Sequence, residues 1–155
     1  MAEGFQVLLA PMAQAGQGLK AVREIGRLVA QQPAGIDEET FLPLVADFDG
    51  QTWPSRLRCT AVALDNAEVG VWSSESGVAL QLAVAASCGA PVVLPLVTID
   101  GRRYMVGGVL SHINARAAAD AEGVVVVSCF PLDQPLAPFQ TVRQESAELR
   151  AAGIV

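Results

Sequence analysis

The chain has 155 residues, with 10 Lys+Arg against 16 Asp+Glu, a formal net charge of -6 and a pI near 4.6. So acidic a chain repels phosphate backbones, and nucleic acid is not an expected partner. Hydrophobic residues make up 52% and charged residues 17%, which excludes a disordered chain and points to extensive burial, in its own core or against another chain.

Leu19, Val22, Ile25 and Val29 recur at helical spacing, with Lys20, Arg23, Glu24 and Arg27 between them. The pattern predicts an amphipathic helix over residues 17–32, ended by Pro33 and Gly35. Asp37, Glu38 and Glu39 place acids at the start of a short second helix, where the helix dipole favours them. Asp47 to Pro54 reads as a loop with Asp49-Gly50 turn chemistry. Arg56 to Leu64 reads as a strand, and Glu68 to Trp72 as its return. Gly77 to Ser87 is apolar on nearly every side, so this helix is expected to be buried.

Val92 to Ile99 is the next predicted strand. Asp100-Gly101 suits a tight hairpin turn because both residues tolerate positive φ, and Arg102 to Met105 returns. Gly107-Gly108 breaks that strand. Asn114 to Ala121 reads as a short helix with Asn114 as N-cap. Val124 to Val127 is a β-branched run expected of a strand covered on both faces. Gln140 to Ala152 reads as a closing, solvated helix. Helices alternating with strands argue for α/β with a mixed sheet.

The richest apolar run, Val78 to Val97, is interrupted by Gly89, Pro91 and Pro95, so no transmembrane segment is expected. The start, Met1-Ala2-Glu3-Gly4, lacks the basic opening of a signal peptide. Cys59, Cys88 and Cys129 form no CxxC and read as buried free thiols. A reducing, cytoplasmic location follows as the expectation.

Three stretches carry a family resemblance. They are Trp53-Pro-Ser-Arg-Leu-Arg-Cys-Thr-Ala-Val, then Ala83-Val-Ala-Ala-Ser-Cys-Gly-Ala-Pro, then Ile99-Asp-Gly-Arg-Arg-Tyr-Met-Val-Gly-Gly108 followed by Asn114-Ala115 and the valine run. In this order they resemble the C-terminal half of a bacterial patatin-like phospholipase, over residues 20–130. The resemblance implies a partial three-layer α/β/α sandwich. It treats residues 1–155 as a single partial domain, mainly helical over 1–50 and α/β over 51–155. It also implies lipid acyl hydrolysis by a Ser–Asp dyad. The serine belongs to a Gly-x-Ser-x-Gly elbow, beside a Gly-rich oxyanion loop, and the aspartate to an Asp-Gly-Gly motif. A serine hydroxyl needs a positioned base, and the oxyanion needs preorganised donors.

The sequence departs from that pattern. No serine has glycine two residues away on both sides. Gly16-Gln17-Gly18 is too sparse for an oxyanion loop. The dyad aspartate aligns with Val106, followed by Gly107 and Gly108, so no catalytic residue of the dyad is intact. Asp100, six residues upstream, is the nearest carboxylate and the one substitute available.

Three explanations stay open: one subunit of a split protein, a catalytically dead relative kept for binding or scaffolding, or a fragment. Each leaves apolar surface uncovered, so a homo-oligomer or a second chain supplying the N-terminal half is the expected partner. A lipid or acyl ester is the expected substrate if the chain is active.

No cofactor and no metal are expected. His112 is the only histidine and offers at most a thiol–imidazole pair with Cys88 or Cys129. Asp47 and Asp49 fail as a calcium loop, because the twelfth position is Arg58 rather than glutamate. Arg102 and Arg103 suit either a solvated strand edge or an anionic head group. Trp53 and Trp72 read as core anchors.

Overall fold

The structure is a computed structural model, and it describes residues 19–31, 35–91, 93–111, 113–128, 133 and 141–154. Helix α1 (Leu19–Gln31) forms where the apolar period predicts it. Val22, Ile25 and Val29 are buried along one face, while Lys20, Arg23 and Arg27 face solvent. Helix α2 (Glu38–Phe41) is capped by Asp37, whose Oδ1 accepts from the Thr40 N–H at 2.7 Å. Its first turn carries Glu38 and Glu39, as the dipole favours. Phe41 is buried, and the chain continues as 3-10 turns over Leu42–Phe48.

Strands β1 (Cys59–Ala63), β2 (Val69–Trp72), β3 (Val97–Ile99) and β4 (Arg102–Val106) form one sheet in the order β2-β1-β4-β3. The β3–β4 hairpin turns on Asp100 (φ 50) and Gly101 (φ 76), the positive pair that matches strand twist. Strand β1 is buried on both faces, as are Tyr104 and Met105 of β4, which explains the near-continuous apolar run of β1, while β4 opens on the half-buried Arg102 and the exposed Arg103. Cys59, Ala61, Ala63 and Tyr104 face one side, and Val62 and Met105 face the other.

Helix α3 (Leu80–Cys88) covers the first face with Ala83, Ala85 and Ala86 against β1, β3 and β4. Small side chains let the helix approach the sheet closely. Helix α1 covers the opposite face through Val22, Ile25 and Val29 against Val62 and Met105. A helix on each side of a sheet is the expected three-layer α/β arrangement. The β3 edge is covered by Glu38, whose carboxylate accepts from the Thr98 N–H at 2.8 Å and from the Thr98 hydroxyl at 3.0 Å. A carboxylate on an edge N–H blocks further strand addition there. Both tryptophans anchor the core. Trp72 meets Tyr104 edge to face at 4.9 Å, and Trp53 donates its Nε1–H to Val78 O at 2.7 Å. Helix α4 (Val142–Ala151) opens on a capping box between Thr141 and Gln144 and buries Val142, Glu145 and Leu149. No helix among the described residues is long and apolar enough to cross a membrane.

Several expectations are corrected. The sheet is antiparallel throughout among the described residues, rather than mixed: β1–β2 and β3–β4 are hairpins, and the non-sequential pair β1–β4 is antiparallel as well. The strand expected from Val92 starts only at Val97. Leu94 N–H folds back onto Ala90 O at 2.7 Å, and Pro95 has no N–H for a ladder. Val92 itself lies outside the described residues. Asn114 is no N-cap. It sits in the left-handed region at φ 47 with no side-chain cap bond, before a 3-10 turn over Ala115–Ala118. Val124 to Val127 is not a paired strand, and one of its faces is uncovered: Val125 is 92% and Val127 88% exposed, while Val124 and Val126 are half-buried and Val124 packs against Ala115, Leu149 and Ile154. Cys59 is buried, but Cys88 is exposed at the end of α3. His112 and Cys129 lie outside the described residues.

Candidate functional site

The Met105-Val106-Gly107-Gly108 segment ends β4 and turns at once into a 3-10 turn over Gly107–Val109. Val106 pairs with Ala61 across the ladder and donates its N–H to Gly89 O at 2.9 Å. Its side chain is half-buried beside the apolar cluster under α1. The two glycines differ. A Cβ on Gly107 would stand 2.8 Å from both Asn114 Nδ2 and Thr60 Oγ1, so only glycine fits. A Cβ on Gly108 would meet nothing nearer than 3.8 Å.

Thr60 and Asn114 also line a groove of about 870 Å³ beside this turn. Its other walls are the Ser73-Ser74-Glu75 turn, the 115–121 turn and the valine run. Asn114 is locked by two local bonds: its N–H donates to Ser111 Oγ at 2.7 Å and its Nδ2 to Ser111 O at 2.9 Å. Arg58 spans the groove rim. Its guanidinium makes a bidentate pair with Asp120 and donates to Ala117 O at 2.6 Å. Glu145 holds the far side of the 115–118 turn from α4, where its Oε2 accepts from the Ala115 N–H at 3.1 Å. Its Oε1 is buried without a partner. Arg116 adds an ion pair to Glu148 at 3.0 Å.

The sequence reading missed Arg58, Asp120 and Glu145. Glu145 had a signal: with Val142 and Leu149 it falls at i, i+3 and i+7 on the inward helix face, a carboxylate where an apolar residue is expected. Arg58 and Asp120 had none, because 62 residues separate the partners.

Among the described residues, the groove holds hydroxyls but no activated nucleophile. No serine lining it bonds a carboxylate; Ser73 Oγ accepts from the Glu75 N–H at 3.3 Å, a turn contact. Asp100 stands at the opposite end of β4 from Val106, with about 13 Å of strand between Arg102 and Val106. The structure therefore does not bring the substitute carboxylate to the Val106 turn. Asp47 and Asp49 are exposed near the end of the 3-10 turns.

Comparison with known families supplies the decisive observation. Residues 12–119 match the family described as patatin-like phospholipase, well over half of the sequence. The chain belongs to the patatin-like phospholipase family. No curated protein and no solved structure matches it. The patatin-like stretch takes in both faces of the sheet, the Val106 turn and the groove wall as far as Ala119.

The groove rim titrates in acid. Arg58 holds the Asp120 carboxyl down at about 2, chiefly through their hydrogen bonds. A carboxyl depressed in the folded state adds stability that is complete above its unfolded value and is lost as pH falls through the folded one. Asp120→Asn is therefore expected to melt lower than the unaltered chain at about pH 5, with the gap closing toward about pH 2. Thermal denaturation across that range checks it, and a gap independent of pH would refute the pairing.

Proposed function

We propose that this polypeptide is a patatin-like lipid acyl hydrolase homologue that is inactive alone. One partial domain over residues 1–155 contains the C-terminal, aspartate-bearing half of the fold. The observation that carries the reading is Val106. Valine before Gly107-Gly108 accepts no proton, and Asp100 is at the wrong end of the strand to replace it. The sequence also holds no Gly-x-Ser-x-Gly elbow. Without a base and a positioned nucleophile, acyl transfer has no route of the Ser–Asp kind.

The second reading is an interaction subunit, and the bare valine run favours it. No backbone group of Val124–Val127 takes a hydrogen bond among the described residues. An exposed apolar strand with free N–H and C=O groups is a template for another strand. The partner is a second copy or a chain supplying the serine half. We assign a lipid or acyl ester as the ligand class and the cytoplasm as the location, on the family and on the free Cys59 and Cys88.

The test is hydrolysis of a short-chain acyl ester by the purified chain and by Val106→Asp. Both are expected to match an unrelated protein. Turnover by the unaltered chain would overturn the inactive reading. Turnover gained only in Val106→Asp would mean that a usable serine lies within this chain.

A further inference from the structure

At the other end of the sheet, the fold gathers arginines. A groove of about 440 Å³ lies between α1 and the two turns that follow β1 and precede β4. Arg23 and Arg27 come from one wall, and Arg102 and Arg103 from the other. Gly26, Ala30, Leu64 and Gly101 leave its floor without polar bulk. Four of the ten cations in a chain of net charge -6 converge here, and Asp65 is the one acid in the lining. We propose that this groove binds a phosphate-bearing ligand.

Two arginines are preorganised. Arg27 lies against Glu24 with Nε and Nη2 at 3.1 and 2.6 Å from its oxygens. Arg102 lies against Asp65 with Nε and Nη2 at 3.3 and 2.8 Å, and its guanidinium carbon sits 5.9 Å from the Tyr104 ring centre. Each pair uses the Nε and Nη2 donors, and among the described residues the Nη1 donors take no partner. Holding a side chain in place before binding removes part of the ordering cost.

The other two arginines are the source of uncompensated charge. Arg23 and Arg103 are exposed and make no ion pair among the described residues. Glu24 and Asp65 pair with Arg27 and Arg102, and Glu68 also acts on Arg102, so Arg23 and Arg103 supply the net positive charge that would meet one phosphate group. Planar guanidinium forks match phosphate oxygens with paired N–H donors. The volume exceeds that of a bare phosphate and leaves room for an attached organic group. By contrast, Arg58 at the larger groove is spent on Asp120 and Ala117.

Phosphate chemistry is shared by free phosphate compounds and by lipid head groups, and two probes separate them. The full chain is titrated with inorganic phosphate by calorimetry. It is also sedimented with phosphatidylcholine vesicles, with and without phosphatidic acid. The double variant Arg23→Gln/Arg103→Gln is run beside Arg150→Gln, an exposed control on α4. Loss of about tenfold or more in affinity is expected for the double variant, on the scale of one charge-assisted contact. The control is expected to bind as the unaltered chain does. Saturable inorganic phosphate binding assigns a free phosphate compound. Binding only to vesicles with phosphatidic acid assigns a lipid head group. No binding to either probe, or equal weakening in the control, overturns the site. The melting temperature of the double variant, expected unchanged, excludes loss through unfolding.

Discussion

Replacing Met105 by alanine lowers the unfolding free energy by about 2–5 kcal/mol. Met105 is fully buried and is the largest side chain so enclosed among the described residues. It projects from the central strand β4 toward α1, where it joins Val22, Ile25, Val29 and Val62. The site cannot collapse easily, because the sheet behind Met105 is held by ladders on both sides, β1 and β3. Truncation therefore leaves a void that strips contacts from α1 and β1 together. Met105→Leu, near in volume, is expected to lose less than about 1.5 kcal/mol. Urea unfolding of both variants checks the pair. A loss below about 1 kcal/mol for Met105→Ala would mean that α1 is not packed on this face.

Where local chemistry decided the structure, the sequence was readable. The α1 period, the acids at the start of α2 and the Asp100-Gly101 turn each act within a few residues, and each stands where expected. The family motif was readable too, because Gly107 is fixed by a contact no other residue fits. What was not readable depends on distant partners. Asn114 looks like an N-cap, yet its side chain serves Ser111, and the Ala115 N–H is met from α4 by Glu145. The Arg58–Asp120 pair that closes the groove spans a separation no pattern reports. Val92 to Leu96 has strand composition, but a strand needs free N–H groups in register, and Pro95 removes one.

The valine run is the instructive case. Four consecutive β-branched residues predict a strand buried on both faces. Composition states what a segment would do with partners, and it does not supply them. Val124 to Val127 runs along the groove with extended-chain composition and no ladder. Local propensity and global structure disagree here, and such conflicts mark sites where a partner is expected. The β3 edge shows the contrast, since Glu38 covers it within the chain.

Light scattering of the purified chain is expected to give a mass above the 16.2 kDa of one copy, or a stoichiometric complex once the serine-bearing partner is added. Val125→Asp/Val127→Asp is expected to return the assembly to single copies. Each valine side chain stands almost wholly in water, so pairing gains on the order of 1.5–3 kcal/mol per valine covered. A carboxylate at either position faces a large desolvation penalty in a strand interface. The same substitutions bury nothing in the isolated chain, and its stability should shift by no more than about 0.5 kcal/mol. That split between assembly and stability is the signature of a docking strand. A monodisperse single copy of the unaltered chain that takes no partner would sink the pairing. A large stability loss in the double variant would instead place the run in a core, against its exposure. Assembly lost at unchanged stability would leave Val124 to Val127 as the strand that joins this half of the fold to another.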